Sequence, residues 1–574
     1  MIAARSAADA YGNHSRLEPP AASRHSGAVL AYAVAGLVLA GYVWHCHVLN
    51  YVVDDSFITF RYVQNFINGH GIVYNPGERV EGYTNFLWLV LLSVVAWVVP
   101  GIDLLRVAQV LGLLCGSATI ALVITCSWRL HRRIGVSGVI AATCLALSSP
   151  FCAWSTGGLE TTLFALLVFG GSYAYVVALE RDRLLMVASA AFALAALTRP
   201  EGVLLFGVTS VHLMWTERHA RQRIFTFRLA VWVLMFVGLY GPYYLWRCAY
   251  YGYPFPNTFY AKVGSGLHQY IRGVRYLLDY LQWNGVLVAL LPVALLAKRR
   301  RPQMLNVFGI EVAAYLTYIV WVGGDGLAFF RFVACIAPLI YVLAQEGFLE
   351  AYEYAMQYVS RRRRLTSAVW LAFALLLGLS FCWTARQTLA SVVFPRSGRW
   401  YEPQSELSFP GIGTDHHYVW FDNYFVDRLA VAARWLEEHA PADALVASTP
   451  AGSISYHMRL RVIDMLGLND EHIAHRGSAS FGTGRAGHEK GDGKYVLSRS
   501  PDYILLGNVA VLPRPIGDDE MAKKLVQLSE HEIWADPDFH ERYERVTVEL
   551  SPTGVFRYFT FYRKKGGDAA RRLG

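Results

Sequence analysis

The chain has 574 residues, enough for several soluble domains or for one large membrane protein with an appended domain. Hydrophobic residues make up 54% and charged residues 17%, below the roughly 25% of an average soluble protein. Together these figures exclude a disordered chain, a coiled coil and an ordinary soluble enzyme. The net charge of +9 is uneven: residues 385–574 sum to −2 and residues 1–384 to +11. The basic excess therefore lies among the apolar segments, where it reads as loop charge and not as a surface for nucleic acid.

Residues 1–27, with Arg5, Arg16 and Arg24 and no cleavage-site pattern, read as a cytoplasmic segment ahead of a retained first span at 28–47. The next loop, 48–103, opens on Asp54-Asp55. From Ser56 to Ile67, Phe57, Phe60, Val63 and Ile67 share one helical face while Arg61, Gln64, Asn65 and Asn68 stay polar. That pattern suits an interfacial helix, or a loop helix packed on its neighbours. Turns follow at Gly69-His70-Gly71, at Tyr74 to Glu78 and at Glu81-Gly82-Tyr83-Thr84-Asn85. Residues 86–100 are apolar but number only 15, short of the ~20 needed to cross ~30 Å of hydrocarbon. They are expected to lie in, or dip into, the outer interface.

Further spans are expected near 104–128, 136–153, 161–179, 184–197, 201–214, 229–249, 285–297, 304–321, 333–348 and 366–384, about eleven with the first. This set keeps each basic cluster on the cytoplasmic side: Arg129/Arg132/Arg133, Arg181/Arg183, Arg218/Arg221/Arg223, Lys298 to Arg301 and Arg361 to Arg364. It leaves the first loop and the C-terminus outside. The pair 184–197 and 201–214 is broken at Thr198-Arg199-Pro200-Glu201. Charged, broken backbone at that depth is tolerated only beside protein or a watery cavity. Beyond residue 384, strand-like runs at 444–448, 461–465, 502–506 and 558–562 alternate with helical stretches at 429–438 and 519–529. The expected architecture is a polytopic α-helical membrane domain, 28–384, followed by an extracytoplasmic α/β domain, 385–574. All eight cysteines precede residue 385, and none has metal-site spacing.

The residues suited to chemistry gather in the outer loops. Two adjacent carboxylates, Asp54 and Asp55, are costly at a membrane boundary unless solvated, paired or metal-bound. Such a group can deprotonate an acceptor hydroxyl; the pair also suits the cap of the helix that follows. Glu81, Tyr83 and Asn85 are candidates to hydrogen-bond a sugar, with turn and cap roles as the alternative. Further candidates are Glu160 after Gly157-Gly158, Arg199 and Glu201 at the broken span, and the aromatic stretch from Tyr250 to Lys262. Lys262 suits a lipid phosphate, or snorkels to headgroups. Asp325 sits among glycines, and Arg331 suits paired, charge-assisted bonds to phosphate. There is no Walker A motif, Rossmann fingerprint, Gly-x-Ser-x-Gly elbow or His-Glu-x-x-His pair. An enzyme on this face must use a donor that arrives without ATP or nucleotide sugars, and a lipid-linked donor fits.

The block from Asp54-Asp55-Ser-Phe-Ile-Thr-Phe-Arg-Tyr through Gly-His-Gly-Ile-Val-Tyr-Asn-Pro-Gly-Glu-Arg-Val-Glu-Gly-Tyr-Thr-Asn-Phe-Leu-Trp resembles the first outer loop of GT-C class membrane glycosyltransferases. The nearest likeness is to the AftB group of terminal arabinofuranosyltransferases. Thr156-Gly-Gly-Leu-Glu-Thr-Thr, Leu197 to Gly202, Pro256-Asn257-Thr-Phe-Tyr260-Ala-Lys262, Gly323-Gly-Asp325, Ile463 to Asn469 and Gly487-His488-Glu489-Lys490 continue it in order. The resemblance implies transfer of a sugar, arabinofuranose in that group, from a polyprenyl-phosphate donor to a glycan or protein acceptor. It implies Asp54 or Asp55 as the catalytic group and Lys262, Arg331 and Arg199 as holders of the lipid phosphate. It further implies Glu81, Glu160 and Asp325 for sugar hydroxyls or an ion, with Tyr83, Asn85, Glu201, Asn257, Tyr260 and His488 as further substrate contacts. No cofactor is required, a divalent cation is possible, and the location implied is a bacterial cytoplasmic membrane. The rival reading is a carrier that flips lipid-linked sugars without bond chemistry; clustering of the charged candidates on one side argues against matched inner and outer gates.

Overall fold

The computed structural model describes residues 21–393 and 415–566, except 181, 265, 298–301, 360–362, 478–480 and 553–555. Among these residues seven helices are long and apolar enough to cross a membrane: Gly27–Leu49, Leu104–His131, Thr161–Glu180, Phe227–Tyr251, Gln303–Val322, Arg331–Val359 and Leu365–Ala385. A bent pair, Val136–Leu147 and Ser149–Thr156, meets at 59° and makes an eighth crossing if taken as one span. Pro150 accounts for that bend. It has no N–H to give the carbonyl of Ala146 four residues back, and His45 Nδ1 lies 3.0 Å from that oxygen instead. The chain is a multi-pass membrane protein.

Some expected segments are found as read and others take a different form. Leu185–Thr198 is a helix of 14 residues, and Glu201–Arg221 is a separate one of 21. Arg199 between them is extended, φ −153° and ψ 141°, the conformation a following proline imposes. The span expected at 285–297 does not form as one helix. The chain instead makes Leu267–Val288, which carries Arg272, Arg275 and Asp279, and then a seven-residue helix, Leu291–Ala297. Phe86–Val98 is a 13-residue helix, as its apolar length suggested. Arg363–Val393 runs without a break past 384, the boundary expected for the membrane domain.

The C-terminal domain starts on the long helix Asp415–His439 and folds around six strands: β1 (Leu445–Ser448), β2 (Arg461–Asp464), β3 (Tyr503–Leu505), β4 (Ala510–Leu512), β5 (Tyr543–Glu549) and β6 (Tyr558–Lys564). β1 lies parallel to both β2 and β3, while β6 runs antiparallel to β3, β4 and β5. All three residues of β3 are buried, as expected of a strand with neighbours on both edges and cover on both faces.

The first loop and this domain share one hydrophobic core. Phe57, Phe60, Tyr62 and Trp88 cluster with Leu436, Val446, Leu505 and Phe559. The polar face of the helix Asp54–Ile67 is therefore only partly turned to water: Arg61 and Asn65 are buried, Gln64 is half-buried and Asn68 is exposed. Arg61 donates to the carbonyls of Tyr74 (3.1 Å), Met458 (2.6 Å) and Leu460 (3.1 Å). Asn75 pairs with β2 like an added strand residue, giving Nδ2–H to Val462 O (2.8 Å) and taking its N–H (3.0 Å). Buried polar groups matched this way hold the domain in one register on the loop.

Candidate active site

A cavity of about 350 Å³ opens where the first loop, the helix ends and the C-terminal domain meet. Its polar wall holds Asp55, Tyr83, Asn85, Glu160, Arg199, Glu201, Lys262, Asp325 and Arg331. Nine of the fourteen residues singled out in the sequence thus converge on one space. Its apolar wall includes Leu204, Phe255, Phe259, Trp321, Val322 and Phe332, and Phe255 and Trp321 are 50% and 45% exposed at its rim.

Asp54 and Asp55 open the Asp54–Ile67 helix, and successive helical residues point about 100° apart. Asp55 faces the cavity, its Oδ2 3.9 Å from Lys262 Nζ, with 27% and 34% of the two side chains exposed. Asp54 faces the C-terminal domain and is not in the cavity wall. Its carboxylate accepts the N–H groups of Gly452 (3.1 Å) and Ser453 (2.6 Å). A Cβ on Gly452 would lie 1.9 Å from Asp54 O, so only glycine permits this approach. Burial pushes the Asp54 carboxyl up to about 7 against those hydrogen bonds. Asp422, from the Asp415–His439 helix, accepts from Tyr51 Oη at 2.8 Å and is pushed by burial up to about 6.

The broken helix pair supplies the far wall. Arg199 donates from Nη1 to Glu160 Oε1 (2.7 Å) and from Nη2 to Glu201 Oε1 (2.8 Å). Glu160 Oε2 takes Asn85 Nδ2–H (2.8 Å), and Asn85 in turn meets Thr59 Oγ1 at 3.1 Å. Among the described residues, Arg199 Nε and Glu201 Oε2 are buried without a hydrogen-bond partner. Arg331 opens the Arg331–Val359 helix and binds Asp325 through two bonds, Nε to Oδ2 (2.8 Å) and Nη2 to Oδ1 (3.2 Å). The turn before it is strained: Phe329 and Phe330 have φ of 57° and 45°, left-handed values uncommon for bulky residues. Trp154 Nε1–H holds Phe329 O at 3.0 Å.

Five candidates lie outside the cavity wall. Besides Asp54, Glu81 is taken up by Arg247, whose Nε lies 3.0 and 3.1 Å from its two oxygens; burial raises its carboxyl even so. Asn257 gives Nδ2–H to the carbonyls of Gly467 (2.9 Å) and Leu468 (3.0 Å), so it fastens the C-terminal domain. Tyr260 packs on His475 with ring centroids 4.2 Å apart. His488 lies behind the wall, its Nδ1 3.2 Å from Ala486 O. Burial, with the cations Arg485 and Lys262 nearby, pushes its imidazole down to about 3 and keeps it neutral. Among the described residues no group of three or more His, Cys, Asp or Glu is placed to hold a metal ion.

Arg247, Thr59, Asp422, Trp321 and Phe332 escaped the sequence reading, whereas Phe255 and Phe259 of the rim lie in the aromatic stretch it named. A charge near the end of an otherwise apolar span was the available signal for Arg247; the others carry none.

Residues 419–563 match the family described as Domain of unknown function (DUF8728). The chain is 28% identical over 284 residues to a terminal beta-(1->2)-arabinofuranosyltransferase of Mycobacterium tuberculosis, covering 46% of this chain and 44% of that protein. It is 28% identical over 326 residues to the enzyme of the same name from Corynebacterium glutamicum, covering 49% and 46%. The matched region thus spans less than half the length of each relative. In fold the chain is similar to ArnT from Cupriavidus metallidurans bound to undecaprenyl phosphate, with a TM-score of 0.51, 14% identity and coverage of 94% of this chain and 98% of that one. It is also similar to the oligosaccharyltransferase AglB from Archaeoglobus fulgidus in complex with an inhibitory peptide and a dolichol-phosphate, with a TM-score of 0.50, 14% identity and coverage of 91% and 74%. The fold is the GT-C membrane fold that the first-loop block implies, with a C-terminal domain built on a sheet as its strand-like runs suggest; seven or eight crossings are found among the described residues where about eleven were expected.

Proposed function

We propose that this chain is a polyprenyl-phosphate-sugar glycosyltransferase that moves arabinofuranose to a hydroxyl of an extracytoplasmic glycan or glycoprotein. The observation that carries the reading is Asp55 and Lys262 side by side in a cavity that also holds Arg331 and has an apolar rim. Asp55 accepts the proton of the acceptor hydroxyl. The freed oxygen attacks the anomeric carbon, the bond from that carbon to the phosphate oxygen breaks, and the lipid phosphate leaves with the electron pair. Lys262 and Arg331 hold the charge that develops on it. Two nitrogens of Arg331 are fixed by Asp325, which sets the plane of the guanidinium and leaves Nη1 for phosphate. Arg199 and Glu201, in the cavity wall beside Glu160, line the sugar position. The rim of Phe255, Phe259, Trp321 and Phe332 takes the first isoprene units. The arabinofuranosyl assignment draws on the two named relatives.

In this reading the cavity side and the C-terminal domain lie outside the cytoplasmic membrane of a bacterium. In support, Glu201 and Arg331 start helices at the cavity whose chains run on to Arg218/Arg221 and to Arg361–Arg364, the clusters expected in the cytoplasm. A carrier needs a second gate, whereas these charged groups meet in one cavity.

The test mixes purified protein with a panel of polyprenyl-phosphate sugars, arabinofuranose among them, and arabinan-type acceptors. Transfer of the arabinofuranosyl residue is the expected outcome. Transfer of another sugar only corrects the donor, and lipid translocation without product contradicts the proposal.

A further inference from the structure

The C-terminal domain reaches the cavity at Leu468 and through the loop Phe481 to Lys490, of sequence Phe-Gly-Thr-Gly-Arg-Ala-Gly-His-Glu-Lys. Ala486 at its tip is part of the cavity wall. Gly487, at φ +78°, lies under the stem of Lys262: a Cβ placed there would sit 3.1 Å from Cε and 3.4 Å from both Cδ and Cγ. The lysine crosses the glycine lengthwise, so the loop surface sets where the ammonium ends. Gly326, next to Asp325, is equally close to the tip, with Ala486 O 2.4 Å from its would-be Cβ. Arg485 Nε–H bonds Gly326 O at 2.9 Å.

One carboxylate holds the loop in this shape. Glu489 Oε1 accepts the N–H groups of Gly482 (2.8 Å) and Gly484 (2.7 Å). Its Oε2 accepts from Arg272 Nη1 at 2.8 Å, with the Glu489 side chain 3% exposed. Arg272 also gives Nε–H to Gly323 O (2.9 Å) and Nη1–H to Gly484 O (2.9 Å). A single buried ion pair thus joins the loop to the segment that carries Asp325, the partner of Arg331.

We infer that loop 481–490 is a positioning element of the active cavity, with Gly487 and Glu489 fixing the Lys262 ammonium where it meets a lipid phosphate. This gives residues 419–563, which match a domain of unknown function, a part in donor binding, and it rests on the glycosyltransferase reading. Gly487→Ala pushes the lysine stem aside. Glu489→Gln removes the charge that anchors Arg272.

The test is a double-mutant cycle on the full chain in detergent, with undecaprenyl phosphate as the probe and native mass spectrometry as the readout. Gly487→Ala is expected to weaken binding about fivefold or more in the wild-type background and less than about twofold in Lys262→Ala, because its effect passes through that lysine. A merely structural role shifts both backgrounds equally. Should Gly487→Ala fail to fold, Glu489→Gln carries the same comparison. Equal weakening in both backgrounds, or unchanged affinity in a folded variant, overturns the inference. Absence of lipid-phosphate binding by the wild-type chain overturns the functional reading instead.

Discussion

Asp54 and Asp55 are chemically identical and adjacent, and their surroundings divide the work between them. Asp54 spends both oxygens on backbone N–H groups of the C-terminal domain and has its carboxyl pushed up to about 7. A raised acid is stabilising in its protonated form. That contribution is fully present below the unfolded value near 4 and is lost as pH rises through about 7. Asp54→Asn removes the titration while keeping an acceptor oxygen. The thermal midpoint of the wild type is therefore expected to fall, relative to Asp54→Asn, between about pH 4 and pH 8; a constant difference over that range contradicts the assignment. The first-loop motif and its spacing named the pair, but they do not choose within it. The choice depends on Gly452, a residue 398 positions away in sequence, whose approach no local pattern records.

At the level of elements, the break at Thr198-Arg199-Pro200-Glu201 was legible because proline and charge inside an apolar run leave few alternatives. Its use was not legible: Glu160, which completes the Arg199 cluster, comes from the turn before the Thr161–Glu180 helix. Arg199→Met is expected to leave two buried carboxylates without a cation. The cost is about 3–5 kcal/mol, seen as a large drop in thermal midpoint that Glu160→Gln added to the same chain partly restores. Arg331→Lys keeps the charge but loses the fork that binds Asp325. It is expected to raise KM for the donor about tenfold or more, whereas an unchanged KM removes Arg331 from the phosphate site. Helix Leu267–Val288 was missed as an element because its charges break the apolar run that a span search follows. β4 has three residues, too few to show a period, while β5, a half-exposed strand paired with β6, carries an alternation at Arg545-Val546-Thr547-Val548-Glu549 that the sequence reading passed over.

For the whole molecule, the consequential feature is that the first loop and the C-terminal domain form one core. The sequence showed two parts divided by hydropathy and charge. It did not show that the polar face of the Asp54–Ile67 helix is the joint between them, since a buried arginine and a solvated one look alike in a row of letters. Arg61→Met takes a donor from the carbonyls of Met458 and Leu460 and leaves Tyr74 O with Asn65 Nδ2–H, and is expected to cost about 3 kcal/mol. Hydrogen exchange should then quicken at 451–470 while the Arg331–Val359 helix keeps its protection; equal quickening in both contradicts a joint at this place. The joint also orients the first loop, because the same helix carries Asp54 against the domain and Asp55 into the cavity. The most direct test of the central claim compares arabinofuranosyl transfer by the wild type, Asp55→Asn and Asp54→Asn, each shown to be folded. The geometry predicts that Asp55→Asn loses about 10²-fold or more in kcat, as for a general base, while Asp54→Asn stays within about tenfold of the wild type. Loss in Asp54→Asn with retention in Asp55→Asn would contradict it.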